Sequence, residues 1–274
     1  SKSFIHVRYF FGCSLLSNLR FFGYNVCCDV RSGCVGNSNF YNFVRNYITA
    51  FELKFFSKIS VISSPVAKNI FNLKKFNLLR VGSNATPENK SELKKLKYNS
   101  PLKFIYIGTF YNRDISFFAN NFSEISIKHG LNYTLDIYGA GDENESKLLI
   151  KLSQFSKNVF FKGFLDRDVF SEVISQYDIG VSYIPILDKF DYQPPTKTFE
   201  YLLNGLPALA TSTSANQFII KHGLNGWLIS DTYDSLEKFL TSPIQFIDEI
   251  SCIESCSSHT WESIFEYDYL KLID

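Results

Sequence analysis

Between Leu102 and Ile229 short apolar runs alternate with helical stretches, and each run stops at a Gly, a Pro or a polar turn. Such alternation predicts parallel βαβ units, because a parallel strand needs a crossover before the next can pair with it. The spacing places strands over 102–107, 133–138, 158–161, 178–183, 207–211 and 226–229, with helices over 114–129, 143–154, 167–175, 196–204 and 214–221. A shorter series precedes it, with strands over 4–9, 24–30, 58–63 and 77–83 and helical stretches around 13–22 and 40–57. Ser64-Pro65 reads as an N-cap and first helical residue for 65–73. An aromatic amphipathic helix, Trp261 to Leu270, closes the chain. The expected organisation is a first domain over 1–98, a second over 99–255, and a final helix within 256–274 packing back toward the first. The polar run Asn84 to Ser100 is the expected connection.

The stretch from Pro194 to Thr211 carries the most chemistry. It reads as a proline-bounded loop, a short helix with one carboxylate, and a Gly-x-Pro turn into an apolar strand. A helix opening after such a loop leaves its first N–H groups unpaired and partly positive, and so can hold a phosphate. Thr196, Lys197 and Thr198 stand at that mouth. Lys197 in a first turn opposes the helix dipole, a placement that favours a bound anion. Glu200 is placed to accept hydrogen bonds from a diol such as a ribose.

Composition narrows the classes. The chain has 274 residues, 45% hydrophobic, enough for two modest cores. No apolar run reaches the roughly 18 residues that a bilayer crossing needs. Six cysteines lack paired metal-ligand spacing and framework density, and Cys27 and Cys28, within the apolar run Tyr24 to Val30, are expected to be buried thiols of a reducing cytoplasm. The Asn-x-Ser/Thr matches at Asn84, Asn121, Asn132 and Asn144 are read as chance. The absence of any Met, and an N-terminus without a signal pattern, suggest a sequence that starts partway through a longer gene product. Net charge is +1, yet residues 1–98 carry 15 basic against 4 acidic residues, +11, which leaves −10 for the rest. A basic lobe steers phosphates or anionic lipid surfaces. No nucleic-acid motif accompanies it.

Several weak motifs in a fixed order carry a resemblance. Ile105-Tyr106-Ile107-Gly108, Ile137 to Asp142 with Gly139 and Gly141, Val159 to Gly163, Tyr177 to Tyr183, the Pro194 to Thr211 segment and His222 to Ile229 resemble successive elements of the donor domain of nucleotide-sugar glycosyltransferases of the GT-B type, in particular family 4 (glycosyl transferases group 1). Cys28 to Gly33 and Lys58 to Lys68 resemble parts of the family's acceptor domain. The resemblance implies an α/β fold of two Rossmann-like domains, the N-terminal one lacking its first strands and glycine-rich loop. It also implies transfer of a sugar from a UDP- or GDP-sugar to a glycan or lipid-linked acceptor, retaining and without a metal or other cofactor, on the cytoplasmic side and peripherally on a membrane.

Carried over residue by residue, the resemblance makes Lys197 and Arg113 the cations that stabilise the leaving diphosphate. Glu200 matches the second carboxylate of a Glu-x7-Glu pattern, which binds the ribose. The first falls on Tyr192, with Asp191 beside it as a candidate substitute. Thr196, Thr198, Gly108, Gly139, Gly141, Gly163 and Phe164 complete the donor-side candidates, Phe164 where the family holds the base. Asp29, Arg31 and His6 are acceptor-side candidates at strand ends of the basic lobe. Two other readings stay open: a nucleotide-sugar epimerase on the same architecture, and a degenerate nucleotide-binding module.

Overall fold

A computed structural model describes residues 3–83 and 101–273. The expected connection over Asn84 to Ser100 lies outside the described residues, as does the Asn84 sequon. Two compact units divide the chain: the first from Ser1–Gly82, Leu187–Pro194 and Ser258–Asp274, the second from Ser83–Ile186 and Pro195–Ser257.

The first unit is built on a parallel sheet in the order β1 (Phe4–Arg8), β2 (Asn25–Val30), β3 (Lys58–Val61) and β4 (Asn77–Leu78). β1 registers Phe4 on Asn25, and β2 registers Cys28 on Ile59. A 3-10 helix, Cys13–Phe22, makes the first crossover, and the helix Asn39–Leu53 makes the second. Ser38 caps the latter by accepting from the Tyr41 N–H. Val26, Cys28, Val30, Leu53, Val61 and Val66 fill the core between sheet and crossovers. Cys27 is buried and reduced, and burial pushes its thiol up to about 11.

Two expectations are corrected here. The cap before the third crossover is Ser63, whose hydroxyl accepts from the Val66 N–H, and the segment Val66–Ile70 forms a wide π-turn. The last strand also stops short of residue 83, because its backbone finds partners other than a strand. The Leu79 N–H still bonds to Val61, but the Arg80 N–H and guanidinium turn to Asp268. His259 bonds to the Val81 carbonyl and Trp261 lies against Gly82. The closing segment therefore terminates β4 by capturing its groups.

The second unit is a six-stranded parallel sheet in the order β10-β9-β8-β5-β6-β7. The strands are β5 (Leu102–Thr109), β6 (Tyr133–Ala140), β7 (Val159–Gly163), β8 (Ile179–Ser182), β9 (Ala208–Thr211) and β10 (Gly226–Ile229). The first strand of the series is central. The chain winds outward through β6 and β7, then returns to β8 on the other side, so the order reverses between β5 and β8. Ligands in open α/β sheets sit at the carboxyl ends beside such a reversal. The predicted helix over 167–175 is a 3-10 turn, Arg167–Val169, running into a short helix, Phe170–Ile174. Two further helices, Tyr233–Thr241 and Glu249–Cys256, follow β10, capped by Thr232 and Asp248.

The helix Thr196–Leu203 is seated on the sheet through Tyr201. Its ring lies where a side chain at Gly180 of β8 would sit, within 2.5 Å of an added Cβ. Its hydroxyl accepts from the Ile107 N–H of β5 at 2.8 Å. Tyr201 is fully buried, so this bond and this fit fix the helix. Gly180→Ala should drive the ring off its seat and cost about 1–3 kcal/mol, the usual penalty of overpacking. The measurement is the urea midpoint, and an unchanged midpoint contradicts this role for Tyr201.

Candidate functional site

At the carboxyl end of β5 the chain turns through Thr109 to Asp114, with Asn112 and Asp114 in left-handed conformation. Strain of that kind persists where the surroundings over-determine a loop. Close approach beneath it depends on glycine: a Cβ on Gly139 would stand 1.9 Å from the Gly108 carbonyl, and one on Gly108 would reach 3.3 Å from the Lys197 ammonium. Gly141 follows at the end of the neighbouring strand β6, next to Thr109.

Lys197 occupies the second position of the helix Thr196–Leu203. Its stem is partly exposed, but its ammonium is buried, has no hydrogen-bond partner, and lies 3.8 Å from the centroid of the Tyr106 ring. Burial pushes its pKa well below the ordinary lysine value, and the nearby Arg113 pushes the same way, while Glu200 opposes both. Arg113 is itself lowered by burial. The aromatic face offsets part of the desolvation but supplies no acceptor. The Asn112 amide nitrogen, on the same loop as Arg113, is a second buried donor without a partner. Pro195 gives the helix no side-chain cap, and Thr196 is exposed at its opening. Two cations are thus gathered at a helix N-terminus, with an unmatched amide donor on the loop that carries one of them, an arrangement that a multiply charged anion completes.

Glu200 is one turn further on. Its carboxylate is only 13% exposed and accepts from the Arg167 guanidinium at 3.1 Å, whereas the Arg167 side chain is 73% exposed. Gly163 and Phe164 lead into the turn that carries Arg167, and Phe164 projects into solvent. Arg167, Asn112 and Tyr106 were not among the sequence candidates. Arg167 has no local signal, since only the crossover brings it to a carboxylate 33 positions away.

Other candidates are placed differently. Thr198 is fully buried, its hydroxyl shared with Ser182 and Asn216 and its N–H bonded to the Pro195 carbonyl, so its polar groups serve the domain interior. Tyr192 belongs to the first unit and packs against that unit's core. Asp29 is buried and holds Arg31 at 2.6 Å and the Ser60 hydroxyl at 2.7 Å, while Arg31 donates to the carbonyls of Leu79 and Arg80. The pair is a clasp across β2, β3 and the end of β4, and its polar atoms are engaged within the fold. His6 is exposed on β1 beside Tyr269.

The model of the family described as glycosyl transferases group 1 matches residues 101–245, more than half of the chain. The chain belongs to that family. Its fold is GT-B, two Rossmann-like units, as solved structures independently indicate. The lipopolysaccharide outer core galactosyltransferase WaaB in its apo form superposes with a TM-score of 0.72 at 12% identity, covering 99% of this chain and 74% of that one. Sucrose-phosphate synthase from Thermosynechococcus elongatus gives 0.71 at 15% identity, covering 95% and 70%. The pneumococcal O-GlcNAc transferase GtfA, in complex with UDP and GlcNAc, gives 0.55 at 14% identity, covering 96% and 51%. The chain thus spans between about half and three quarters of the length of these neighbours. No curated protein matches it in sequence.

A buried, unpartnered ammonium has a thermodynamic signature. The unfolded chain binds the proton more tightly than the folded one, so the penalty is complete below the folded-state pKa and fades as pH rises toward 10.5. Without ligand, Lys197→Met should therefore be more stable than the parent near neutral pH, by about 1–3 kcal/mol, with the gap closing in alkaline buffer. Chemical denaturation of both proteins across that range is the check, and a variant less stable at pH 7 refutes the orphan-charge description.

Proposed function

We propose that this family member transfers a sugar from a nucleotide-diphosphate sugar, a UDP- or GDP-sugar, to a glycan or lipid-linked acceptor, with retention, without a metal ion, and with UDP or GDP as the leaving group. The reading rests on one observation above the rest: the Lys197 ammonium is buried without an acceptor beside Arg113 at a helix N-terminus. A diphosphate supplies the missing acceptors. Binding is favourable because the Lys197 ammonium is already desolvated, and Arg113 partly so, before the ligand arrives. Departure is favourable because charge growing on the leaving oxygen meets donors already oriented toward it.

Glu200 receives the ribose diol in this reading, with the Arg167 guanidinium swinging aside from its exposed position toward phosphate or base. Phe164, solvent-exposed next to Gly163, offers its face to the base. The UDP held by the GtfA neighbour supports the nucleotide class. Among residues 1–82 there are 11 basic side chains and two acidic ones, Asp29 and Glu52, both buried. That unbalanced charge, with exposed Phe10, Phe11, Phe21 and Phe22, suits peripheral contact with anionic lipid on the cytoplasmic side. Among the described residues no helix is long and apolar enough to cross a membrane. Tyr192, in place of a carboxylate, is the feature that favours the alternative of a binding module without turnover.

A thermal-shift panel tests the donor assignment. UDP or GDP at 100 times its dissociation constant should stabilise the chain by about 2.7 kcal/mol. Glu200→Gln and Lys197→Met should each weaken that nucleotide about ten- to a hundred-fold, the worth of a charge-assisted hydrogen bond. Nucleotide release from a matching donor sugar, measured in parallel, separates the enzyme from the module. Binding that ignores both substitutions sinks the assignment.

A further inference from the structure

Tyr106 makes two different contacts at the carboxyl end of β5. Its ring centroid lies 3.8 Å from the Lys197 ammonium, and its hydroxyl donates to the Thr109 carbonyl at 2.9 Å. Thr109 opens the loop that carries Arg113, and that loop is tightly drawn: the Arg113 N–H bonds back to the Phe110 carbonyl, and the Phe110 N–H to the Ala140 carbonyl at the end of β6. One fully buried side chain therefore touches both elements on which the two cations are mounted. Gly108 clears the space for it. A Cβ there would stand 3.3 Å from the tyrosine hydroxyl and 3.3 Å from the lysine nitrogen alike.

Filling the interior requires neither contact. Apolar neighbours serve that purpose, the Phe110 ring among them with centroids 6.3 Å apart. A cation over the ring face meets the negative side of its quadrupole, and desolvated contacts of this kind are the stronger ones. Phenylalanine could make that contact equally well. The hydroxyl, buried with the ring, needs an acceptor, and it takes the carbonyl at the point where the loop leaves the strand. The charged groups that bear on the pair are Arg113 on the loop, Glu200 on the lysine's own helix, and Glu145 on the helix Glu143–Phe155. Glu145 also closes the far end of the loop, accepting from the Ser116 N–H and hydroxyl in the first turn of the helix Ile115–Lys128.

We infer that Tyr106 is a positioning residue of the diphosphate site: its ring seats the Lys197 ammonium, and its hydroxyl sets the loop that presents Arg113. The diphosphate rests on the donor reading; the ring's hold on the ammonium does not. Two replacements separate the contacts. Tyr106→Phe keeps the ring and removes the hydroxyl, and trifluorophenylalanine in place of Tyr106 keeps the shape while drawing electron density from the ring face. NMR titration of the empty full chain, isotope-labelled at the lysine ε-carbons, follows Lys197 through the signal that Lys197→Met removes. Tyr106→Phe should titrate like the parent, and the fluorinated ring should lower the midpoint by about one pH unit. Only the charged amine holds an anion, so UDP and GDP affinities, measured over the same range, should begin their alkaline fall at that lower pH with the fluorinated ring. Tyr106→Phe should instead lose about two- to ten-fold at every pH. Equal midpoints for the two rings, or nucleotide affinities that ignore both replacements, overturn the proposal. The readings stay separable: nucleotide binding by the parent that neither replacement alters removes Tyr106 alone, whereas a moved midpoint in a protein that binds neither UDP nor GDP removes the donor site, and the positioning role with it, while the ring–ammonium contact stands.

Discussion

A lysine ammonium held out of water with no acceptor is the constraint around which the second unit is arranged. Folding ordinarily avoids such a group, since an unpaired buried charge is among the most destabilising features that a protein can contain. Here two neighbours make it tolerable without satisfying it, the Tyr106 ring beneath the ammonium and the carboxylate of Glu200 a turn away, and the lysine's proton affinity falls in consequence of its burial. Arg113 makes matters worse, being a second desolvated cation close enough to depress the first. Two like charges gathered in this way are costly in the empty protein and advantageous only when an anion enters. Stability given up at one point is the expected mark of a site built to bind.

The sheet makes that arrangement rigid. β5 is central and paired on both sides, so the loop at its carboxyl end starts from a fixed edge. Gly108 and Gly139 allow the ends of β5 and β6 to approach until no Cβ fits between them, which leaves room above for the lysine. From the other direction, Tyr201 locks the helix that carries Lys197 against β8 and the backbone of β5. Helix and loop are therefore both referenced to one strand.

Much of this was legible in the sequence, for reasons that are physical. Parallel strands are buried on both faces and read as continuous apolar runs ending at turns, so every strand of the second unit could be placed within two or three residues. The helix with Lys197 and Glu200 was legible because Pro and Gly punctuate both its ends. What escaped notice depends on partners distant in sequence. Thr198 looks like a phosphate-facing first-turn residue, yet it points at Ser182 and Asn216, and nothing local distinguishes the two faces of so short a helix. Asp29 and Arg31 stand at a strand's carboxyl edge, as binding residues do, but Ser60 and the carbonyls of residues 79 and 80 absorb them. The helices Tyr233–Thr241 and Glu249–Cys256 did carry cap residues, Thr232 and Asp248, but each buries only a narrow stripe: Leu236 and Leu240 in one, Cys252 and Cys256 in the other.

The charge asymmetry needs a finer description than a basic lobe facing an acidic one. In the first unit the acids of residues 1–82 are both internal: Asp29 in its clasp, and Glu52 accepting from Tyr9, from Ser14 and from the Gly12 N–H. The unbalanced bases of that stretch are accordingly at or near the surface, interleaved with exposed aromatics, and Arg20 and Arg45 rest on Phe21 and Phe11. The first unit thus carries a cationic surface interleaved with exposed aromatic rings, because the two acids of residues 1–82 are engaged inside the fold.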